Sequence, residues 1–209
     1  MRDLILEYNN KKKQIKQRLK EFKRLRKSKD EDIFVELSFC ILTPQSKAVY
    51  CDKAVKELKE TRMLFSGSVD DIRAGLKRVR FPNNKAAYLV AARGSFKNGR
   101  GLDIKSRLDK NDIIGTRDWL VKNIKGLGCK EASHFLRNIG LGGDLAILDV
   151  HILRNLKKYK VVRDIPSSLS RKTYLEIEGK MRRFAEKIKI PLDELDLLFW
   201  SHQTGFIFK

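Results

Sequence analysis

The fold of this chain is decided by residues 116–140, TRDWLVKNIKGLGCKEASHFLRNIG. Apolar residues repeat at helical spacing on both sides of Gly126-Leu127-Gly128, starting with Leu120 and Ile124 before the glycines. The apolar residues that follow fall at i, i+3, i+4 and i+7, and they are Ala132, Phe135, Leu136 and Ile139. Two helices must therefore reverse direction over the glycines, which permit the positive φ that a tight turn needs.

This helix-hairpin-helix is a candidate phosphate site. The N–H groups of Gly126 and Gly128 are expected to be exposed, and the second helix begins there with the positive end of its dipole. A lone Gly-x-Gly is often only a tight turn between helices, so the charge of the chain matters. With 46 Lys and Arg against 26 Asp and Glu, the chain carries a formal charge of +20, and nucleic acid is the simplest partner for that excess.

Several classes of protein are excluded by the pattern of apolar residues and cysteines. No stretch has the roughly 18 apolar residues that would span a bilayer, and the N-terminus has no apolar core of a signal peptide. The chain has 3 cysteines, and no pair has metal-ligand spacing. We therefore expect a cytoplasmic protein that has no contact with a membrane and binds no metal and no cofactor. We also expect it to be a monomer associated with the nucleoid.

Helical periodicity dominates the rest of the chain, which predicts an all-α fold. Residues 1–29 indicate one or two basic amphipathic helices, and the acidic residues 30–32 offer a cap to the next helix. The apolar run 33–42 is compatible with a strand or a buried helix, and we favour the helix. Residues 68–71 resemble a capping box for a helix that reaches Val79, and residues 81–84 indicate a turn.

A subdomain boundary is expected at residues 97–101, a polar connection that contains glycine. We predict one unit over residues 1–209 with two helical subdomains. One comprises residues 30–100, and the other comprises residues 1–29 plus 101–209 and contains the hairpin at 116–140.

Lys130 lies in the first turn of the second hairpin helix, where the dipole disfavours a cation unless a phosphate compensates. One interpretation is a simple contact with the backbone of DNA. The other is a nucleophile, because the same positive surroundings favour a neutral amine, which can attack a sugar carbon. The residues alone leave both interpretations open.

Asp149 follows an apolar approach and precedes a helix that should run from Val150 to about Tyr159, so it is a natural N-cap. Alone, this placement indicates no more than capping. Beside a sugar, however, a fixed carboxylate would stabilise the positive charge that forms as a glycosidic bond breaks. The spacing between Lys130 and Asp149 does not show whether the two meet.

The hairpin, together with Leu148-Asp149-Val150-His151, closely resembles the helix-hairpin-helix DNA glycosylase superfamily. Within it, the chain resembles the short archaeal-type 8-oxoguanine DNA glycosylase/AP lyases over nearly its whole length. The resemblance implies that Lys130 displaces the damaged base and forms a Schiff base with deoxyribose, with Asp149 as the catalytic carboxylate. Elimination would then cut the strand on the 3′ side of the lesion.

The resemblance also implies contacts with DNA outside the hairpin, because the target base must leave the stack. Gln45 resembles the residue that fills the vacated space, and Phe81 is a second candidate wedge or a core residue. Trp200 and Phe206 are candidates to stack on the extruded base, although large aromatic residues are more often core. His151 is a candidate phosphate contact, whereas we expect a structural role for His134.

Lys209 is the residue that the resemblance connects with the choice of base. In proteins like this one, the C-terminal lysine is implicated in telling 8-oxoguanine from guanine. The two bases differ by an N7–H donor and an O8 acceptor, which a terminal carboxylate and ammonium could read. The alternative is a disordered tail, against which the apolar Phe206-Ile207-Phe208 argues.

The function predicted from the sequence is therefore a bifunctional DNA glycosylase/AP lyase for duplex DNA that contains an oxidised guanine. One alternative is a non-catalytic helix-hairpin-helix module that docks another activity onto DNA. Another is a glycosylase of the same fold for a different damaged base. The chain is too short and too helical for us to expect the additional N-terminal sheet domain of eukaryotic relatives, and it lacks the cysteine cluster that endonuclease III relatives usually have.

Overall fold

The structure, a computed structural model, describes residues 1–99 and 101–209, without the side chains of residues 203 and 204. Within this part of the chain the predicted all-α class is confirmed, and the strands are limited to one two-residue pair. The α-helices are α1 Arg2–Leu25, α2 Asp30–Leu42, α3 Ala48–Glu60, α4 Met63–Ser66, α5 Val69–Gly75, α6 Pro82–Phe96, α7 Ile113–Asn123, α8 Cys129–Asn138, α9 Val150–Lys158, α10 Arg171–Ile188 and α11 Leu192–Thr204. No helix in the described ranges is both long and apolar enough to cross a membrane.

The chain forms two compact units, one made of residues 1–24 and 136–209 and the other of residues 25–135. The expected boundary at 97–101 lies inside the second unit, where strands β1 (Lys97–Asn98) and β2 (Gly101–Leu102) pair antiparallel. The existence of two compact units does not test the two subdomains predicted from the sequence. The subdomain boundaries therefore stay a prediction.

The core of the second unit contains the ambiguous apolar run, which forms helix α2 as predicted, with nine of its residues buried. The predicted cap of this helix was wrong, because the N-cap is Lys29, whose side chain makes no capping bond. Asp30 lies in the first turn instead. Its Oδ1 accepts hydrogen bonds from the amides of Ile104 (2.7 Å) and Lys105 (2.9 Å) at the start of a 3-10 helix, Lys105–Arg107.

Two other boundaries in the second unit differ from the prediction. The capping box at Ser68 is confirmed, but helix α5 ends at Gly75 rather than Val79. Residues 81–84 are not a turn, because Pro82 occupies the first position of α6, where a missing N–H costs nothing. The chain reverses one residue earlier, at Phe81, whose φ is 58°.

The first unit packs the apolar stripe of the single helix α1 and the C-terminal helices around its own core. The apolar stripe of α10 is buried, and α10 ends at Ile188, before the left-handed Lys189. Pro191 then serves as the N-cap of α11. Arg137 and Asp196 lie side by side in this core, with 3.5 Å between the guanidinium and the carboxyl group.

Candidate active site

The hairpin is built as predicted, with α7 and α8 on either side of the glycines. Gly126 has φ 94°, a conformation that side chains rarely adopt. A Cβ atom there would also lie 2.6 Å from Cδ2 of Tyr88 on α6. Glycine is thus required at this position twice over, for the backbone conformation and for the close approach of an aromatic ring.

Lys130 lies in the first turn of α8, with 25% of its side chain exposed. Its Nζ is 2.9 Å from Oε1 of Glu131, and the other oxygen of Glu131 accepts the amide of Gly128 at 3.1 Å. The Gly128 amide, which we expected to be exposed, therefore already has an anionic partner. A phosphate at this amide would have to take the place of Glu131. Glu131 thus supplies the glutamate half of a capping box, a signal that our sequence reasoning missed.

A second lysine, Lys85, adds positive charge to the surroundings of Lys130. Burial lowers the pKa of the Lys85 ammonium, and the nearby charge of Lys130 lowers it further. The thiol of Cys51 also lies close, and burial raises its pKa to about 11, so it is neutral at physiological pH. The nucleophile candidate consequently lies near the cation Lys85 as well as near the carboxylate of Glu131.

Asp149 is the N-cap of α9, as predicted. Its Oδ1 accepts hydrogen bonds from the amides of His151 and Ile152, each at 2.8 Å, and its Oδ2 accepts the indole N–H of Trp200 at 3.1 Å. A carboxylate offers about four lone-pair sites, so three donors fix its orientation and leave one site open. The arrangement is that of a fixed anion with remaining capacity to face a positive charge.

The C-terminal tail packs against the protein around the same tryptophan. The ring of Trp200 stacks on Phe208, with centroids 6.2 Å apart, and Phe206 meets Phe208 edge-on at 5.8 Å. Nε of Arg18 donates to the carbonyl of Phe208 at 2.9 Å. Phe206 remains 49% exposed and Lys209 is partly exposed, so both are accessible to a ligand.

Gln45 and Phe81, the two predicted wedges, are both exposed and both left-handed, with φ of 55° and 58°. This conformation costs roughly 1–3 kcal/mol for a residue with a side chain and persists only where the surroundings impose it. Because it is 49% exposed, Phe81 is not a core residue. His134 is buried, edge-on to Phe39 at 5.6 Å, whereas Nδ1 of His151 is buried without a hydrogen-bond partner.

The structure thus joins some predicted residues directly and assigns others to different units. Asp149 and Trp200 are hydrogen-bonded, and they belong to the first unit together with Phe206 and Lys209. Lys130 belongs to the second unit with the hairpin glycines, Gln45 and Phe81. Among the residues described, no group of three His, Cys, Asp or Glu is placed to hold a metal ion.

Comparison with known proteins decides the family. The family model described as 8-oxoguanine DNA glycosylase, of the helix-hairpin-helix type, matches residues 15–190. The chain belongs to this family. The resemblance inferred from the hairpin and the Asp149 motif is therefore confirmed. The match covers most of both compact units, not only the motif region.

Members of the 8-oxoguanine DNA glycosylase family from bacteria and archaea are similar to this chain. The 8-oxoguanine DNA glycosylase/AP lyase of Fusobacterium nucleatum is 48% identical over 93% of this chain and 90% of its own length. The solved 8-oxoguanine DNA glycosylase of Thermotoga maritima has a TM-score of 0.88 at 35% identity, covering 100% of this chain and 97% of that one. The Methanocaldococcus jannaschii 8-oxoguanine glycosylase/lyase, solved with a 15mer DNA containing 8-oxoguanine, has a TM-score of 0.84 at 36% identity, covering 99% and 98%.

Proposed function

We propose that this chain is a bifunctional 8-oxoguanine DNA glycosylase/AP lyase, which removes 8-oxoguanine from duplex DNA and then cuts the strand. The observation that carries the proposal is an amine, Lys130, at the first turn after the hairpin glycines of a chain in this family. A glycosylase that acts only through water needs no amine there, whereas a lyase does. The relatives named as glycosylase/AP lyases support the same activity.

Lys130 acts as the nucleophile in the proposed mechanism. Its neutral amine attacks C1′, so that an N–C bond forms as the bond between C1′ and the base breaks, and opening of the sugar then gives a Schiff base. Loss of a C2′ proton expels the 3′ phosphate, and water releases the lysine. Glu131, 2.9 Å from Nζ, is the acceptor placed to take the ammonium proton before the attack.

Asp149 stabilises the positive charge that develops on the sugar as the bond to the base breaks. Its orientation is fixed by three donors, so little reorganisation is needed at the moment of reaction. The acceptor site that remains on Asp149 would face the sugar, or would accept a proton during the Schiff-base steps. In this role Asp149 needs to be immobile, and its three hydrogen bonds favour that.

Other residues, which do not react with the sugar, recognise the DNA in this proposal. Stacking of Trp200 and Phe206 on the extruded base, with Lys209 reading its N7–H and O8, would distinguish the lesion. Gln45 and Phe81 would occupy the space that the base leaves. Phosphate contacts are predicted for Gly126, Gly128 and His151, and at the Gly128 amide the phosphate would take the place of Glu131. The enzyme would act as a monomer on nucleoid DNA in the cytoplasm, without a cofactor.

Borohydride trapping tests the proposal, because it reduces a Schiff base to a stable adduct. The substrates are duplexes with 8-oxoguanine opposite cytosine, with guanine, or with an oxidised pyrimidine. We expect an adduct on 8-oxoguanine with the wild type and with Lys187→Gln, a control that removes the same charge from an exposed site on α10. Lys130→Gln should give no adduct.

Other outcomes of this experiment would point to other functions. Tight binding of every duplex without an adduct would contradict the lyase mechanism and favour a docking module. An adduct formed mainly on the oxidised pyrimidine would indicate a glycosylase for a different lesion. An adduct that survives in Lys130→Gln would assign the nucleophile to another amine.

A further inference from the structure

Lys85 is a buried cation that the proposed mechanism does not use. It lies in the first turn of α6, is 4% exposed, and its Nζ donates to three oxygens. These are the carbonyls of Leu42 and Pro44, each at 2.7 Å, and Oγ of Ser46 at 2.9 Å. An ammonium has three donors, so all of its hydrogen bonds are made within the protein, as a buried charge requires.

All three acceptors lie at the end of α2 and in the turn that follows it, residues 42–46. The positive charge of Lys85 is also favourable there, because the C-terminal end of a helix is the negative end of its dipole. Gln45 sits inside this turn, exposed and left-handed at φ 55°. The backbone of Gln45 needs outside support in that conformation, and the hydrogen bonds of Lys85 on both sides of it supply that support.

The same network holds the turn that carries Phe81. Oγ of Ser46 accepts a second hydrogen bond, from the amide of Arg80 at 2.9 Å. The amide of Lys85 donates to the carbonyl of Phe81 at 3.1 Å, which closes the first turn of α6 behind the left-handed Phe81. One buried lysine and one serine therefore join the two turns that carry these exposed, strained residues.

We propose that Lys85 is a positioning residue for base extrusion, which holds Gln45 and Phe81 in the conformations in which they enter the DNA. The inference rests on the proposed function, in which these two residues fill the space left by the base. A side chain that replaces a base must be rigid before it arrives, since any freedom lost on insertion adds to the cost of unstacking.

The test uses Lys85→Met, which keeps an unbranched apolar stem but removes the three donors. Single-turnover excision is measured with 8-oxoguanine opposite cytosine and opposite an abasic site, where no paired base resists extrusion. Strand cleavage at a pre-formed abasic site is the third readout. We expect excision opposite cytosine to fall by up to about 10²-fold, since small misplacements cost that much, with far smaller losses on the other two substrates.

One further variant and a control keep the test decisive if Lys85→Met folds poorly. Ser46→Ala removes only the shared acceptor and should show the same selective loss in a weaker form. Lys97→Met, at an exposed position directly after α6, should match the wild type on all three substrates. Melting temperatures of all variants are recorded alongside.

A double-mutant cycle shows whether Lys85 acts through the turn. Once Lys85→Met has released the turn, Gln45→Ala should cost less than it does in the wild type, because the two residues share one effect. Additive losses in the cycle, or equal losses on all three substrates, would overturn the inference and leave a purely structural lysine. A wild-type enzyme that excises no 8-oxoguanine would instead refute the proposed function.

Discussion

The indole Nε1 of Trp200 donates a hydrogen bond of 3.1 Å to Oδ2 of Asp149. Because Oδ1 of Asp149 is held by two backbone amides, the indole determines the orientation of the oxygen that is not used for capping. A tryptophan expected to stack on the extruded base therefore also supports the carboxylate. The two roles of Trp200 can be separated by experiment.

Trp200→Phe keeps an aromatic ring against Phe208 and removes the donor to Asp149. A hydrogen bond to a charged group contributes roughly 1.5–3 kcal/mol, so we expect the single-turnover rate of excision to fall about tenfold or more. Affinity for the lesion should change little. Trp119→Phe, a tryptophan that packs on Phe96 in the second unit, is the control. A loss of affinity at an unchanged rate would assign Trp200 to stacking alone.

Asp149 is both a helix cap and a proposed catalytic group, and serine can separate these roles. Asp149→Ser retains a good N-cap, so its stability should stay close to that of the wild type, whereas Asp149→Ala should lose about 1 kcal/mol. Both variants lack the carboxylate, and we expect both to lose about 10²–10³-fold in excision rate. Chemical denaturation and single-turnover kinetics are the measurements. Wild-type excision by Asp149→Ser would remove Asp149 from the mechanism.

Gly126→Ala should disturb the hairpin in two ways, through the positive φ and through the 2.6 Å approach to Tyr88. We expect a loss of stability of roughly 1–3 kcal/mol and weaker binding of all duplexes, damaged or not. Gly94→Ala is a matched control, since a Cβ at this helical position would meet nothing within 4 Å. That variant should be neutral or more stable. Unchanged DNA binding by a folded Gly126→Ala would mean that the hairpin does not contact phosphate.

The buried Asp196 should make stability depend on pH. Burial raises the pKa of Asp196 to about 7, although the charge of Arg137 opposes the shift. Between the usual carboxyl pKa of about 4 and pH 7, the folded state therefore holds a proton that the unfolded state has lost. The contribution of Asp196 to stability falls as the pH rises through this window.

Asp196→Asn should remove that part of the pH dependence, because the amide does not titrate. The measurement is the free energy of unfolding from pH 4 to pH 8 for both proteins. The substitution also removes the carboxylate beside Arg137, so absolute stability should drop, and the slope with pH is the quantity compared. Identical slopes would show that Asp196 is ionised throughout the range.

Local signals in the sequence were sufficient for the hairpin and for the cap at Asp149. Each depends on residues within one or two turns of each other, such as the glycines between two apolar stripes. The start of α6 was misjudged because Pro82 followed by asparagines suits a turn as well as a first helical turn. The apolar residues further along α6, which pack in the core, favour the helix.

Contacts between residues that are far apart along the chain could not be predicted from the sequence. Asp30 caps a 3-10 helix more than 70 positions away, and no periodicity connects the two. Lys85 did leave a signal, because it falls on the same helical stripe as the buried Leu89, Ala92 and Phe96. A lysine on an apolar stripe implies that a buried acceptor is nearby. Only the structure shows that residues 42–46 provide the acceptor oxygens.

The approach of Gly126 to the ring of Tyr88 also has an evolutionary consequence. The glycine lets an aromatic side chain on α6 sit against the backbone of the hairpin turn, so each residue limits what the other can become. A lineage that replaces the glycine must first shrink the residue at position 88, because that order leaves only a gap, whereas the opposite order places a Cβ atom against the ring. The ring should therefore be lost before the glycine in any descendant that abandons the hairpin.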